Sequence, residues 1–119
     1  MKYKRINIPI YNQVLHIIIS ENVESEIKDI NKKFYCEFDN YDFAGYSIGI
    51  NKHNLLLINN KNISDEAFKI SVISHEAFHI SNFISKRIGI HPDVNNDEPQ
   101  AYLLSWIVEE TIKFMTNEK

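Results

Sequence analysis

A disulfide framework is excluded at once, because the chain has a single cysteine, Cys36. A lone thiol fits a reducing compartment, and the expected location is cytoplasmic. Cys36 itself reads as a small core residue. Glycine and proline are also scarce, at three each. No Gly/Pro-rich linker, internal repeat or low-complexity tract interrupts the chain. Positive charge is not in excess: 13 Lys and Arg against 16 Asp and Glu give a net charge of −3. The basic footprint of a nucleic-acid binder is therefore missing, and no nucleic-acid partner is expected. No apolar run approaches the roughly 18 residues of a spanning helix, so no membrane partner is expected either. The basic start, Met1-Lys2-Tyr3-Lys4-Arg5, is followed by alternation with Pro9 and Asn12. It does not read as a signal peptide.

What is present suits one globular domain spanning 1–119. Hydrophobic residues make up 44% and charged residues 24% of the 119 residues, which argues against disorder. Ile6, Ile8 and Ile10 alternate as in a half-buried strand, and Val14 to Ile19 form a second strand or its continuation. Ile27, Ile30 and Phe34 recur at helical spacing, predicting an amphipathic helix over 23–35 capped by Asn22. Residues 37–44 read as a loop. Tyr46–Ile50 and Leu55–Asn59, separated by Asn51-Lys52-His53-Asn54, predict a β-hairpin.

A long helix follows. Ser64 is the predicted N-cap, with Asp65 and Glu66 favoured in the first turn by the helix dipole. Lys86 and Arg87 suit the last turn, and Gly89 suits a left-handed C-cap. Apolar residues cover much of its circumference, so this helix is expected to be central and mostly buried. A polar loop, 91–97, leads to a final helix starting near Pro99.

The chemistry lies on the long helix, which reads His75-Glu76-Ala77-Phe78-His79. Residues four apart share one helical face, so both imidazoles can reach one metal ion, and two neutral imidazoles suit zinc. Glu76 lies about 100° round the helix. It can miss the metal yet reach a water beside it, the position of a general base. With 5 histidines in 119 residues, about 0.02 chance matches to this pattern are expected, so the signal is specific.

A catalytic zinc site usually takes three protein ligands. The position a third histidine would take six residues after the second is Ser85, which excludes the metzincin pattern. Glu98, nineteen residues after His79, is the best candidate. Gly89 ends the helix, the loop turns the chain back, and Glu98 then starts an antiparallel helix that can face the motif. His91, Asp93 and Asp97 are rivals.

His75-Glu76-x-x-His79 with a downstream glutamate resembles the gluzincin branch of the zinc peptidases. Asp97-Glu98-Pro99-Gln100-Ala101-Tyr102-Leu103-Leu104 resembles the ligand helix of short phage-encoded metallopeptidases. Phe78 stands where related families commonly carry glycine. The resemblance covers about residues 44–115. It implies an α+β, minimal zincin-like fold: a small mixed β-sheet packed on the motif helix, followed by a ligand-bearing helix. It implies a phage- or prophage-encoded zinc metallopeptidase, acting in the host cytoplasm or the virion. His75, His79 and Glu98 would be the Zn2+ ligands and Glu76 the catalytic base. Tyr102, four residues after Glu98, is the candidate oxyanion donor, with a packed aromatic as the competing reading. A peptide or protein substrate would lie along an edge strand, expected at Leu55–Asn59. His16 and His53 carry no spacing signal and read as structural or surface residues. The competing function is a catalytically silent zincin-fold protein serving as a virion component or protein-binding module.

Overall fold

Two stretches of branched apolar residues form the middle of a four-stranded sheet. The computed structural model describes residues 1–117. The elements are β1 (Lys2–Ile8), β2 (Gln13–Ser20), α1 (Val23–Lys33), β3 (Gly45–Ile50), β4 (His53–Asn59), a 3₁₀ turn (Asn60–Asn62), α2 (Glu66–Arg87) and α3 (Glu98–Thr116). The strand order is β1-β2-β4-β3. β1/β2 and β3/β4 pair antiparallel, while β2 and β4 pair parallel. This is an α+β fold with a mixed sheet and three α-helices. No described helix is long and apolar enough to cross a membrane.

Both faces of the central strands are covered, which explains their nearly continuous apolar runs. Ile17, Ile19, Leu56 and Ile58 pack against Ile73, Ala77, Ile80 and Ile84 of α2 and Ile107 of α3. On the other face Ile18, Leu55 and Leu57 pack against Val23 and Ile30 of α1, with Phe34 and Cys36 beyond it. Burying one such Ile or Leu contributes about 1.5–3 kcal/mol. Cys36 is the small core residue expected: its thiol donates to the Phe34 carbonyl at 3.2 Å, and burial pushes its pKa up to about 11.

Several local expectations need correction. β4 is an interior strand, hydrogen-bonded to β2 on one side and β3 on the other. Leu55–Asn59 therefore offers no free edge; β3 holds that position. The cause is the parallel β2/β4 pairing, a contact between segments some forty residues apart. Ile10 does not extend β1. It is 90% exposed, with φ 62°. Tyr11 N–H donates to the Pro9 carbonyl at 2.8 Å, closing a tight turn over Ile10. A β-branched residue at positive φ is unusual, and here it sits at the centre of that turn. The N-cap of α2 is Asp65, not Ser64, since its carboxylate accepts from Phe68 N–H at 2.7 Å. α2 is buried on one side only: Phe68, Ile70 and Phe78 are exposed.

Other signals hold. Asn22 caps α1, accepting from Ser25 N–H at 3.4 Å. Gly89 has φ 81°. Beyond α2, Ile90 N–H donates to Ser85 O at 2.8 Å and Gly89 N–H to Lys86 O at 3.4 Å, a Schellman ending. Away from α2, His16 links three strands. The Tyr3 hydroxyl meets His16 Nδ1 at 2.8 Å, and His16 Nε2 meets His53 Nδ1 at 2.9 Å.

Candidate metal centre

α2 brings His75, Glu76 and His79 to one cleft because helical spacing stacks positions four apart. The two Nε2 atoms stand 3.3 Å apart. His75 Nε2 lies 4.0 Å from Glu76 Oε2. The His75 side chain is 68% exposed, whereas that of Glu76 is 10% exposed. The imidazoles thus open to solvent, and the carboxylate sits behind them. Ala77 and Ile80 on the opposite side of α2 are fully buried, which pins the helix and leaves only this face to the cleft.

Glycine on β3 makes room for the carboxylate. A Cβ at Gly45 would collide with Val72 Cγ1 and stand 3.0 Å from Glu76 Cγ and 3.3 Å from Glu76 Oε2. Gly45→Ala should therefore lower the urea midpoint, with a loss of about 1–3 kcal/mol. An unchanged midpoint would mean that β3 and α2 are not pressed together here. The cleft is open, about 350 Å³, and lined by Gly45, Tyr46, Ser47, His75, Glu76, His79 and Phe83. Sequence reasoning missed Gly45, Tyr46, Ser47 and Phe83. A signal existed: in Gly45-Tyr46-Ser47-Ile48-Gly49-Ile50 the small residues alternate, marking a face that something approaches closely.

Two ligands at about 2.0–2.1 Å on a tetrahedral ion are about 3.3–3.4 Å from each other. The observed imidazole separation of 3.3 Å matches that span. The pair on α2 thus has the spacing of two ligands of one such ion.

The remaining candidates are placed elsewhere. Among the described residues, no third His, Cys, Asp or Glu joins the pair in a metal-holding group. α3 does dock one turn beyond His79, where Gln100 Nε2 donates to Ser81 Oγ at 3.2 Å and to Asn82 Oδ1 at 2.5 Å. Gln100 takes the α2-facing position. Glu98, two residues earlier, lies about 160° away round the helix and is exposed. Asp97 is the acid that shares a hollow with α2, beside Phe78. His91 and Asp93 are exposed in the connecting loop. Asp93 caps its own turn, accepting from Asn95 N–H at 2.9 Å.

Tyr102 is 71% exposed. It lines an apolar groove with Ile8, Pro9, Ile10, Tyr11, Pro99, Leu103 and Trp106, a lining that shares no residue with the His75 cleft. The expectation that Tyr102 donates to an oxyanion at this cleft is corrected accordingly. Position i+4 from Glu98 does place it on the face of Glu98, but that face turns away from α2. Comparison with protein-family models, curated proteins and solved structures finds no match.

Proposed function

We propose that this chain is a zinc-dependent metallopeptidase. The observation that carries the reading is the His75/His79 pair, 3.3 Å apart at Nε2, with the Glu76 carboxylate 4.0 Å from His75 Nε2. His75 and His79 would hold the zinc, and Glu98, on the side of α3 opposite the α2-bound Gln100, is left out of the donor set. A bound zinc supplies Lewis acidity, polarising a carbonyl and easing deprotonation of water. Glu76 takes the proton from the attacking water and returns it to the leaving amine. Its partial burial between α2 and β3 holds the carboxylate in one place and limits competing water.

The peptide would lie along β3. Asn59 N–H donates to Ala44 O at 2.8 Å, which sets the phase of the ladder. Residues 46, 48 and 50 then pair inward with β4, and the backbones of Gly45, Ser47 and Gly49 point to the free edge. An extended chain adding there would pass directly over the cleft. A silent, metal-keeping binding module is the second reading, and the outward position of Glu98 is what favours it.

The metal half is tested by elemental analysis of untagged protein. About one zinc per chain is expected. His75→Ala should lose it. Glu98→Ala should keep it, because that side chain faces away from α2. Loss of zinc in Glu98→Ala would put Glu98 back in the ligand set. No zinc even after supplementation would overturn the proposal.

A further inference from the structure

We infer that Arg87 forms a carboxylate-binding subsite at the far end of the α2–β3 cleft, so that the favoured peptide carries a carboxylate about two to four residues from the bond presented to Glu76. The inference rests on the peptidase reading for the position of that bond, and on the geometry of Arg87 for the rest.

Arg87 is eleven residues after Glu76, so it returns to within about 20° of the same helical stripe, about 16 Å further along α2. Its guanidinium is held from behind. Nη1 donates to Gln13 Oε1 at 2.9 Å and to Asn54 Oδ1 at 2.8 Å. Both acceptors are neutral and buried, with exposures of 8% and 0%. They fix the direction of the fork without neutralising its charge. Among the described residues, no carboxylate makes an ion pair with Arg87. Burial pulls its pKa below the usual value. A half-buried cation without a counter-ion is unfavourable, and an incoming carboxylate would relieve it.

The free end of the fork reaches the open strand. A Cβ at Gly49 would collide with Arg87 Nη2 and stand 2.9 Å from Phe83 Cδ2. Gly49 is one of the positions whose backbone points to the free edge of β3. The absence of a side chain there leaves Nη2 packed on the α2 side of Gly49, at the margin of the edge strand where side chains of an added strand would turn toward α2. Phe83 continues the lining from His79 toward Arg87. Gly45, against Glu76, and Gly49, against Arg87, are four residues apart, or about 13 Å. An extended peptide covers that span in the same number of residues. An arginine fork matches a carboxylate in two hydrogen bonds, and Nη2 remains available for it. The carboxylate could belong to an Asp or Glu side chain or to the peptide's own C-terminus.

The test uses zinc-loaded Glu76→Gln protein, which should hold peptides without turning them over, and fluorescence anisotropy of a matched set. One peptide is neutral and amidated, one has a single internal Glu moved along the sequence, and one is neutral with a free C-terminus. At least one carboxylate peptide should bind about 10-fold tighter than the neutral one. The internal series should have a single optimum, and whichever form gains identifies the source. Arg87→Gln, which keeps a donor for Gln13 and Asn54, should erase the gain. Arg87→Glu should shift the preference to a Lys peptide. Less than a twofold gain overturns the subsite, whether or not the Arg87 variants fold, and so does no binding by any peptide. Cleavage by the unaltered chain separates the two readings. Hydrolysis without carboxylate preference sinks the subsite alone. Carboxylate-dependent binding without hydrolysis sinks the peptidase reading alone.

Discussion

Glu76→Gln is expected to keep its zinc and lose peptide hydrolysis by about 10²–10⁴-fold, the range for removing a positioned general base. The substitution keeps the shape of the side chain and its packing behind Gly45. It removes only the ability to take a proton. The carboxylate stands 4.0 Å from His75 Nε2, so it is adjacent to the donor pair without belonging to it. Zinc content should accordingly match that of the unaltered chain. The comparison needs turnover of a peptide mixture, read by mass spectrometry, and elemental analysis of the same preparations. Hydrolysis that survives in Glu76→Gln would remove Glu76 from the chemistry. Loss of zinc together with activity would make Glu76 a ligand instead of a base.

Acid should weaken the fold through His16. Burial, then the neighbouring His53, then Arg5, lower its pKa from 6.5 to about 4. The unfolded chain therefore takes up a proton at higher pH than the folded one. Stability from the neutral, buried ring is complete above about pH 6.5, falls as pH drops, and levels off below about pH 4. The loss amounts to at most about 3 kcal/mol, a large share of a typical domain's stability. Urea midpoints at pH 7.5 and 4.5 measure it. His16→Leu should be less stable at the higher pH, because Tyr3 and His53 lose their partner. Its drop between the two pH values should be smaller. An equal drop in both proteins would assign the acid sensitivity to other groups, such as Glu26. That carboxyl is held below its usual range chiefly by the Ser20 hydroxyl, and it titrates in the same direction.

The sequence reading succeeded where signals are local. α1 with its Asn22 cap, the β3/β4 hairpin and the Schellman end of α2 at Gly89 each rest on a few neighbouring residues, and each is present. So is the close approach of His75 and His79, because four-residue spacing on a helix enforces it. Position i+4 also placed Tyr102 correctly relative to Glu98. What it could not supply was the rotation of α3 about its own axis. That rotation follows from packing Leu103, Ile107 and Thr111 inward. The packing leaves Gln100 facing α2 and sends Tyr102 to a different groove.

By itself, then, the sequence determined the element types, the two-histidine pair and the position of Glu76 beside it. These depend on helical and strand periodicity, and periodicity is written in adjacent residues. Only the tertiary structure decided that β4 is interior and β3 is the edge beside it. Strand order depends on which distant segments pair, and β2 and β4 carry the same apolar pattern an edge could carry. Only the tertiary structure set Gly45 against Glu76 and Gly49 against Arg87. Those contacts are made between a strand and a helix separated by the whole of β4, and they exist because the shared core of Ile73, Ala77, Ile80 and Ile84 presses the two together.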